Sequence, residues 1–258
     1  MSNPRKYGIP PYSIAVVHGG PGASGEMKPV AEELSMQFGV LEPLQTKDSV
    51  VGQVEELRQQ ITENTDVPAN LIGYSWGAWL AFILASMYSE LVKKLVLVGS
   101  GPFQVEYAKG IMTTRLSRLN TGDNKKVEQL MQKINSGNTD DRTLEEFGSL
   151  LAKADTYNPI RYEREVDGIN MDIYQKVWPE AEKLRKNGKL LEYGRSIHCP
   201  IVIIHGDYDP HPFEGVKRPL QSISPNCEFV LLKKCGHKPW VEKQAKSLFY
   251  KTLNRILQ

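Results

Sequence analysis

One pentapeptide, GYSWG at residues 73–77, constrains the fold of this chain more than any other feature. A short apolar run at 69–72 precedes it, and a longer apolar run at 78–85 follows it, which is typical of a buried strand leading into a helix. A serine on so sharp a turn adopts strained backbone angles, and glycine at both flanking positions lets the two elements approach closely. The pentapeptide therefore predicts a strand-to-helix turn that holds the Ser75 hydroxyl clear of the sheet. The alternative is an ordinary glycine-rich turn in which Ser75 only caps the helix.

Short, almost uniformly apolar runs alternate with longer segments of helical period elsewhere in the chain. They predict strands at 13–17, 39–41, 69–73, 94–99, 200–205 and 227–232, and helices at 26–37, 49–64, 76–88, 215–222 and 240–257. Such alternation is typical of βα units whose parallel strands are covered by helices on both faces. The predicted fold class is α/β, with a doubly wound, mostly parallel sheet.

One long segment, 101–195, interrupts this alternation. It contains no convincing strand, and 31 of its 95 residues are charged. Polar, amphipathic helices between two buried strands indicate an insertion above the sheet. We therefore predict a first part of the core at 1–100, a helical cap at 101–195 and a second part of the core at 196–258. The cap has aromatic side chains that are candidates to line a pocket: Phe103, Tyr107, Tyr157, Tyr162, Tyr174 and Trp178.

Composition excludes several classes of protein and partner. The formal net charge of the 258 residues is only +2, which predicts neither a nucleic-acid partner nor an acidic tail. The apolar stretch at 79–85 is too short to cross a membrane, and the N-terminal residues contain no apolar run of an export signal. Three cysteines without C-x-x-C spacing suggest neither a disulfide framework nor a zinc site. We expect a cytoplasmic protein without membrane contact, whereas its oligomeric state is not indicated.

A serine hydroxyl is a weak nucleophile that needs a general base and a group to orient that base. His237 lies in a loop between the last predicted strand and the last predicted helix, where its ring can project over the sheet edge. Asp207 and Asp209 both follow a predicted strand directly, so either carboxylate can orient the imidazole. The residues occur in the chain order serine, acid, histidine that this kind of fold requires.

A second glycine-rich segment, HGGPG at 18–22, follows the first long predicted strand. Its glycines allow backbone N–H groups to approach a ligand oxygen, as an oxyanion hole requires. We expect the amides of Gly20 and Trp76 to be the two donors. Taken alone, the segment is equally consistent with a tight turn.

The alternation of His205, Asp207, Asp209 and His211 also raises the possibility of a metal site. Gly206 and Pro210 argue against a regular strand that would place all four side chains on one face. We therefore favour the orienting carboxylate and predict no metal and no cofactor.

Together, the three motifs resemble those of the α/β-hydrolase superfamily over 13–101 and from 200 to the C-terminus. The HGGPG loop is similar to that of the proline iminopeptidase branch, whose members remove N-terminal residues from peptides. In that family the acid occupies the last place of G-x-x-D, which implies Asp209 rather than Asp207. The resemblance also implies His237 as the base and Gly20 and Trp76 as the oxyanion donors.

The predicted function is that of a serine hydrolase in which Ser75 attacks an acyl carbonyl, His237 transfers the proton and Asp209 orients the imidazole. Its substrate is expected to be a small ester, an amide or a short peptide. An aminopeptidase of the iminopeptidase type is the alternative activity. A non-catalytic receptor that keeps the hydrolase fold is the alternative from another class of protein.

Overall fold

The computed structural model describes residues 3–137, 140–160, 168, 170–224 and 226–258. Its sheet has seven strands in the order β1-β3-β2-β4-β5-β6-β7, and only β1 runs antiparallel to its neighbour. The strands are β1 (Arg5–Tyr7), β2 (Tyr12–Val17), β3 (Gly39–Glu42), β4 (Ala69–Tyr74), β5 (Val92–Val98), β6 (Ile201–Gly206) and β7 (Glu228–Leu232). The predicted α/β class with a mostly parallel sheet is confirmed.

Strand β1 is the element of the sheet that the sequence analysis missed. Its three residues, Arg5, Lys6 and Tyr7, are polar or half-buried and lack the apolar run by which the other six strands were predicted. The strand pairs with β3 and brings the Tyr7 hydroxyl to the buried Glu42 carboxylate at 2.7 Å. Side-chain hydrogen bonding therefore contributes to holding this strand in place.

Helices cover both faces of the sheet and also occur in the described parts of the segment between β5 and β6. They are α1 (Lys28–Leu34), α2 (Val50–Asn64), α3 (Trp76–Met87), α4 (Val105–Ala108), α5 (Ile111–Arg118), α6 (Thr121–Asn135), α7 (Asp141–Asp155), α8 (Met171–Lys186), α9 (Lys189–Glu192), α10 (Glu214–Ile223) and α11 (Lys246–Leu257). The helix predicted at 240–257 is divided: a 3-10 turn, Pro239–Val241, precedes α11. Where the structure describes the chain between β5 and β6, its regular elements are helices, as predicted for that segment.

Two apolar clusters lie on opposite faces of the sheet. Neighbouring strand residues alternate between them, as Leu71 and Ile72 of β4 show. One cluster includes α2, α3, α10 and one face of α8, and the other includes α1 and α11. Helix α3 is almost wholly buried, which explains why its sequence shows no polar face. Within the described ranges, no helix combines the length and the apolar character needed to cross a bilayer.

Candidate active site

Ser75 lies on the predicted sharp turn between β4 and α3. Its φ of 52° is in the left-handed region, which is strained for a residue with a side chain. A Cβ on Gly73 would lie 2.3 Å from the carbonyl oxygen of Gly77, and one on Gly77 would lie 2.3 Å from that of His18. Glycine is therefore required at both flanking positions because backbone atoms occupy the space of a side chain.

Three predicted side chains meet above this turn. His237 Nε2 lies 3.1 Å from Ser75 Oγ, and His237 Nδ1 lies 2.7 Å from Asp209 Oδ2. Asp209 follows β6, and His237 follows β7, so that three parallel strands deliver the three groups to one edge of the sheet. The serine, the imidazole and the carboxylate form one continuous hydrogen-bonded chain.

The charges around Asp209 determine the tautomer of His237. Burial opposes ionisation of Asp209, but His237, His205 and His211 outweigh it and hold the pKa of the carboxyl well below its usual value. An ionised carboxylate only accepts hydrogen bonds, so Nδ1–H of His237 donates to it and Nε2 is left to accept from the Ser75 hydroxyl. Burial lowers the pKa of His237, but the charge and hydrogen bond of Asp209 outweigh it, and the net direction is upward.

Two further histidines, His205 and His211, lie beside the Asp209 carboxylate. His211 approaches Asp209 Oδ1 with both its backbone N–H, at 2.9 Å, and its ring Nδ1, at 2.8 Å, and its ring lies 4.5 Å from that of His237. His205 Nε2–H donates to the His211 carbonyl at 2.8 Å and lies 3.4 Å from Asp209 Oδ2. Burial lowers the pKa of His211 to about 4, so its ring is neutral at pH 7.

The metal hypothesis places His205, Asp207, Asp209 and His211 around one ion. Asp207 instead accepts a hydrogen bond from the Cys235 backbone at 3.3 Å and lies 3.7 Å from Lys233. Donor atoms of Asp209, His211 and His237 do lie within 4.8 Å of one another, a spacing that suits a metal ion. Both imidazoles already use Nδ1 on the Asp209 carboxylate, so this cluster is accounted for by hydrogen bonding.

The loop that carries His237 is joined to the end of α7 by one buried carboxylate, Glu242, and by a backbone hydrogen bond. Glu242 accepts hydrogen bonds from the backbone of Gly236 at 2.8 Å, of Tyr157 at 2.7 Å and of Asn158 at 2.7 Å. The backbone N–H of His237 donates to the Asp155 carbonyl at 2.8 Å. The end of α7 and the loop after β7 therefore form one hydrogen-bonded unit.

A hydrogen-bond network of His18, Gln45 and Trp76, called the relay below, holds the HGGPG loop. The buried His18 ring contacts the Gly19 carbonyl at 2.8 Å and accepts the backbone N–H of Gln45 at 3.1 Å. The Gln45 side chain in turn donates to the His18 carbonyl and accepts the Trp76 indole N–H at 2.9 Å. Gly20 has a positive φ of 30°. The relay connects the two backbone segments whose amides are the predicted oxyanion donors, and that role stays a prediction.

A cavity of about 200 Å³ opens beside Ser75. Its wall is partly aromatic: Trp79 stacks on Trp178 with ring centroids 6.1 Å apart and planes 4° apart. Of the aromatic residues that the sequence analysis proposed for this lining, Trp178 lies in the wall, whereas Phe103 is buried in the core. Tyr162 lies outside the described residues.

Charged side chains of the cap also line this cavity, and sequence reasoning did not single them out: Arg115, Glu182 and Arg185. Arg115 forms a two-pronged ion pair with Asp155, with Nε and Nη2 2.7 and 2.6 Å from the two carboxylate oxygens. These residues lie among 31 charged residues of a helical segment, and no local pattern distinguishes an inward-facing charge from a solvated one. Only the tertiary packing identifies them.

A doubly wound sheet with a serine at the turn after one central strand, and an acid and a histidine after later strands, defines the hydrolase type of α/β fold. The chain belongs to the alpha/beta hydrolase fold family, which matches residues 43–244. No curated protein matches the chain by sequence.

Several solved structures are similar to this chain over nearly its whole length. VinJ is 17% identical with a TM-score of 0.73, over 98% of this chain and 93% of VinJ. E-2-(acetamidomethylene)succinate hydrolase is 17% identical with a TM-score of 0.65, over 98% and 93%. The monoacylglycerol lipase of Paleococcus ferrophilus is 17% identical with a TM-score of 0.63, over 100% and 98%. At these identities the similarity shows a shared fold.

Proposed function

We propose that this chain is a serine hydrolase that cleaves a carboxylic ester or amide of a small substrate through an acyl-enzyme on Ser75. The observation that carries the proposal is the hydrogen-bonded series of Ser75, His237 and Asp209, with Ser75 on a strained turn beside a cavity. Nucleophile, base and orienting acid occur at the distances that this chemistry requires.

In the proposed reaction, Ser75 Oγ attacks the acyl carbon while His237 Nε2 accepts the hydroxyl proton. The carbonyl oxygen gains negative charge, which the backbone N–H groups of Gly20 and Trp76 would stabilise. The leaving group departs with the proton from His237, and the acyl group stays on Ser75. Water then attacks the acyl carbon, with His237 again as the base, and the carboxylic acid is released from Ser75. Every proton transfer uses a side chain of the protein, so the scheme needs no cofactor.

An aminopeptidase of the iminopeptidase type is the second candidate, since the HGGPG loop resembles that branch. Binding of a substrate amine requires a carboxylate that faces the cavity, and Glu182 is such a group. Both its oxygens already lie near cations, Oε1 near Arg185 and Oε2 near Lys186, at 3.3 and 3.1 Å. The ester or amide hydrolase therefore fits the cavity better than the aminopeptidase. We place the activity in the cytoplasm, as the three free cysteines suggest.

The experiment that tests the proposal compares p-nitrophenyl esters of graded chain length with prolyl and alanyl p-nitroanilides. We expect ester cleavage that is lost in Ser75→Ala, together with covalent labelling of Ser75 by a fluorophosphonate. Cleavage of only the aminoacyl anilides would support the aminopeptidase. Absence of both labelling and turnover would contradict the hydrolase and favour a non-catalytic receptor.

A further inference from the structure

Arg185 of α8 lies in the wall of the same cavity as Ser75. Only 9% of its side chain is exposed, so the guanidinium is largely removed from water. Its Nε is buried and has no hydrogen-bond partner among the residues that the structure describes. A buried charged donor without an acceptor is costly, and such a group in a cavity indicates a ligand that completes it.

Arg115, the other arginine of this wall, provides the comparison. It uses Nε and Nη2 together on Asp155, so its charge and its planar edge are both satisfied. Arg185 has the same edge, but within the described part of the chain only its Nη2 has an acceptor, Glu182 Oε1, at 3.3 Å. The Nε–H beside it is buried and has no acceptor among the described residues.

Arg185 has to share its counter-ion. Glu182 lies between Arg185 and the largely exposed Lys186, whose Nζ is 3.1 Å from Oε2. Burial lowers the pKa of Arg185 more than Glu182 raises it, as expected for a cation whose compensation is incomplete. The guanidinium carbon lies 5.4 Å from the ring centroid of Trp79, which supports the group on the cavity wall. An anionic group of the substrate fits this environment.

We propose that Arg185 binds a free carboxylate of the substrate, and that the preferred substrates are esters or amides carrying a second acid group away from the bond that is cleaved. The adjacent Nε–H and Nη2–H donors of a guanidinium match the two oxygens of a carboxylate. The stacked Trp79 and Trp178 rings provide an apolar wall for the part of the substrate between the two ends. The inference rests on the proposed hydrolase activity and specifies its substrate class.

The test uses matched pairs of substrates that differ by one charge. Mono-p-nitrophenyl esters of adipic, pimelic and suberic acid are compared with the same compounds methylated at the free carboxyl. We expect the wild-type protein to prefer the acids in kcat/KM. Arg185→Met should lower kcat/KM for the preferred acid by about 10- to 100-fold, the range for a hydrogen bond to a charged group, with little change for its methyl ester. Arg185→Lys keeps the charge but lacks the planar edge, so its kcat/KM for the preferred acid should lie between those of wild type and Arg185→Met.

Lys183→Met is the matched control, since it removes the same charge from an exposed position of the same helix and should leave the preference intact. Equal losses for acid and methyl ester in Arg185→Met would overturn the proposal and assign Arg185 a structural role. A wild-type preference for the methyl esters, or for aminoacyl substrates, would also overturn it. These outcomes are distinct from failure of the hydrolase itself, in which the wild-type protein cleaves none of the compounds and Ser75 resists the fluorophosphonate.

Discussion

Asp209 is the residue on which the geometry of the site converges. One carboxylate oxygen faces His237, and the other accepts from the backbone and the ring of His211. The carboxylate is wholly buried, whereas the Asp207 side chain, two residues earlier, is 30% exposed. Two carboxylates that are equivalent in the sequence therefore have different environments, and only Asp209 is placed to fix the tautomer of His237.

We predict that Asp209→Asn lowers kcat/KM for the best ester by about 10⁴-fold, because an amide in this position favours the wrong imidazole tautomer. Asp207→Asn is the matched control and should change kcat/KM little, since the Asp207 carboxylate contacts the Cys235 backbone and Lys233. Initial rates of ester hydrolysis by the two variants and the wild-type protein measure this difference. Similar losses in the two variants would remove Asp209 from the orienting role.

At the scale of elements, the loop after β7 and the end of α7 are one unit. Besides the three hydrogen bonds to Glu242, the Lys243 backbone N–H donates to the Asn158 carbonyl, and that of Ile160 donates to the Val241 carbonyl. A segment that begins inside the helical insertion thus supports the loop that carries His237. The insertion contributes to the position of His237 as well as to the wall of the cavity.

Glu242→Gln tests this connection. The amide can accept at one end only, so at least one of the backbone donors at Gly236, Tyr157 and Asn158 faces an NH₂ group. We expect the free energy of unfolding to fall by about 1–3 kcal/mol, the cost of a buried unsatisfied donor. His237 should be held less firmly in its position, so kcat should fall by a larger factor than KM rises.

Urea unfolding and steady-state kinetics measure the two effects of Glu242→Gln. Glu192→Gln, at an exposed position, serves as the control. Wild-type stability together with wild-type kcat would show that the carboxylate does not hold the two segments together.

At the scale of the whole molecule, the buried histidines make stability depend on pH. Burial lowers the pKa of His18 and His205, and it lowers that of His211 to about 4. Below pH 6.5 the unfolded chain binds protons at these positions that the folded protein does not bind, so acid favours unfolding. His237 acts in the opposite direction, because its raised pKa stabilises the folded protein below pH 6.5 and this contribution is lost as pH rises through the folded pKa.

We predict that the free energy of unfolding falls between pH 7 and pH 5, with His211 alone contributing about 2 kcal/mol. Urea unfolding at several pH values measures the slope. His211→Gln should flatten it by the share of one histidine. A slope that is the same in wild type and His211→Gln would contradict the prediction.

The sequence predicted most of the sheet and the grouping of Ser75, Asp209 and His237, because buried parallel strands and sharp glycine turns leave strong local patterns. It did not predict β1, because the residues of this strand are polar. They are held by partners that are distant in the sequence, such as Glu42, which lies 37 positions after Arg5. Nor did it identify Arg185 as a cavity residue. The choice between Asp207 and Asp209 required a family resemblance, since spacing from the strand alone fits both.

The small antiparallel strand β1 has a consequence for self-association. It occupies the outer edge of β3, whose residues are all buried, and offers solvent only three residues that include Arg5 and Lys6, followed shortly by Pro10 and Pro11. Short, charged, proline-flanked edges resist pairing with a second chain. Shortening the N-terminus past Tyr7 would instead expose the backbone of Val40 and Leu41 as a template for intermolecular β-pairing, and the protein would aggregate through this edge.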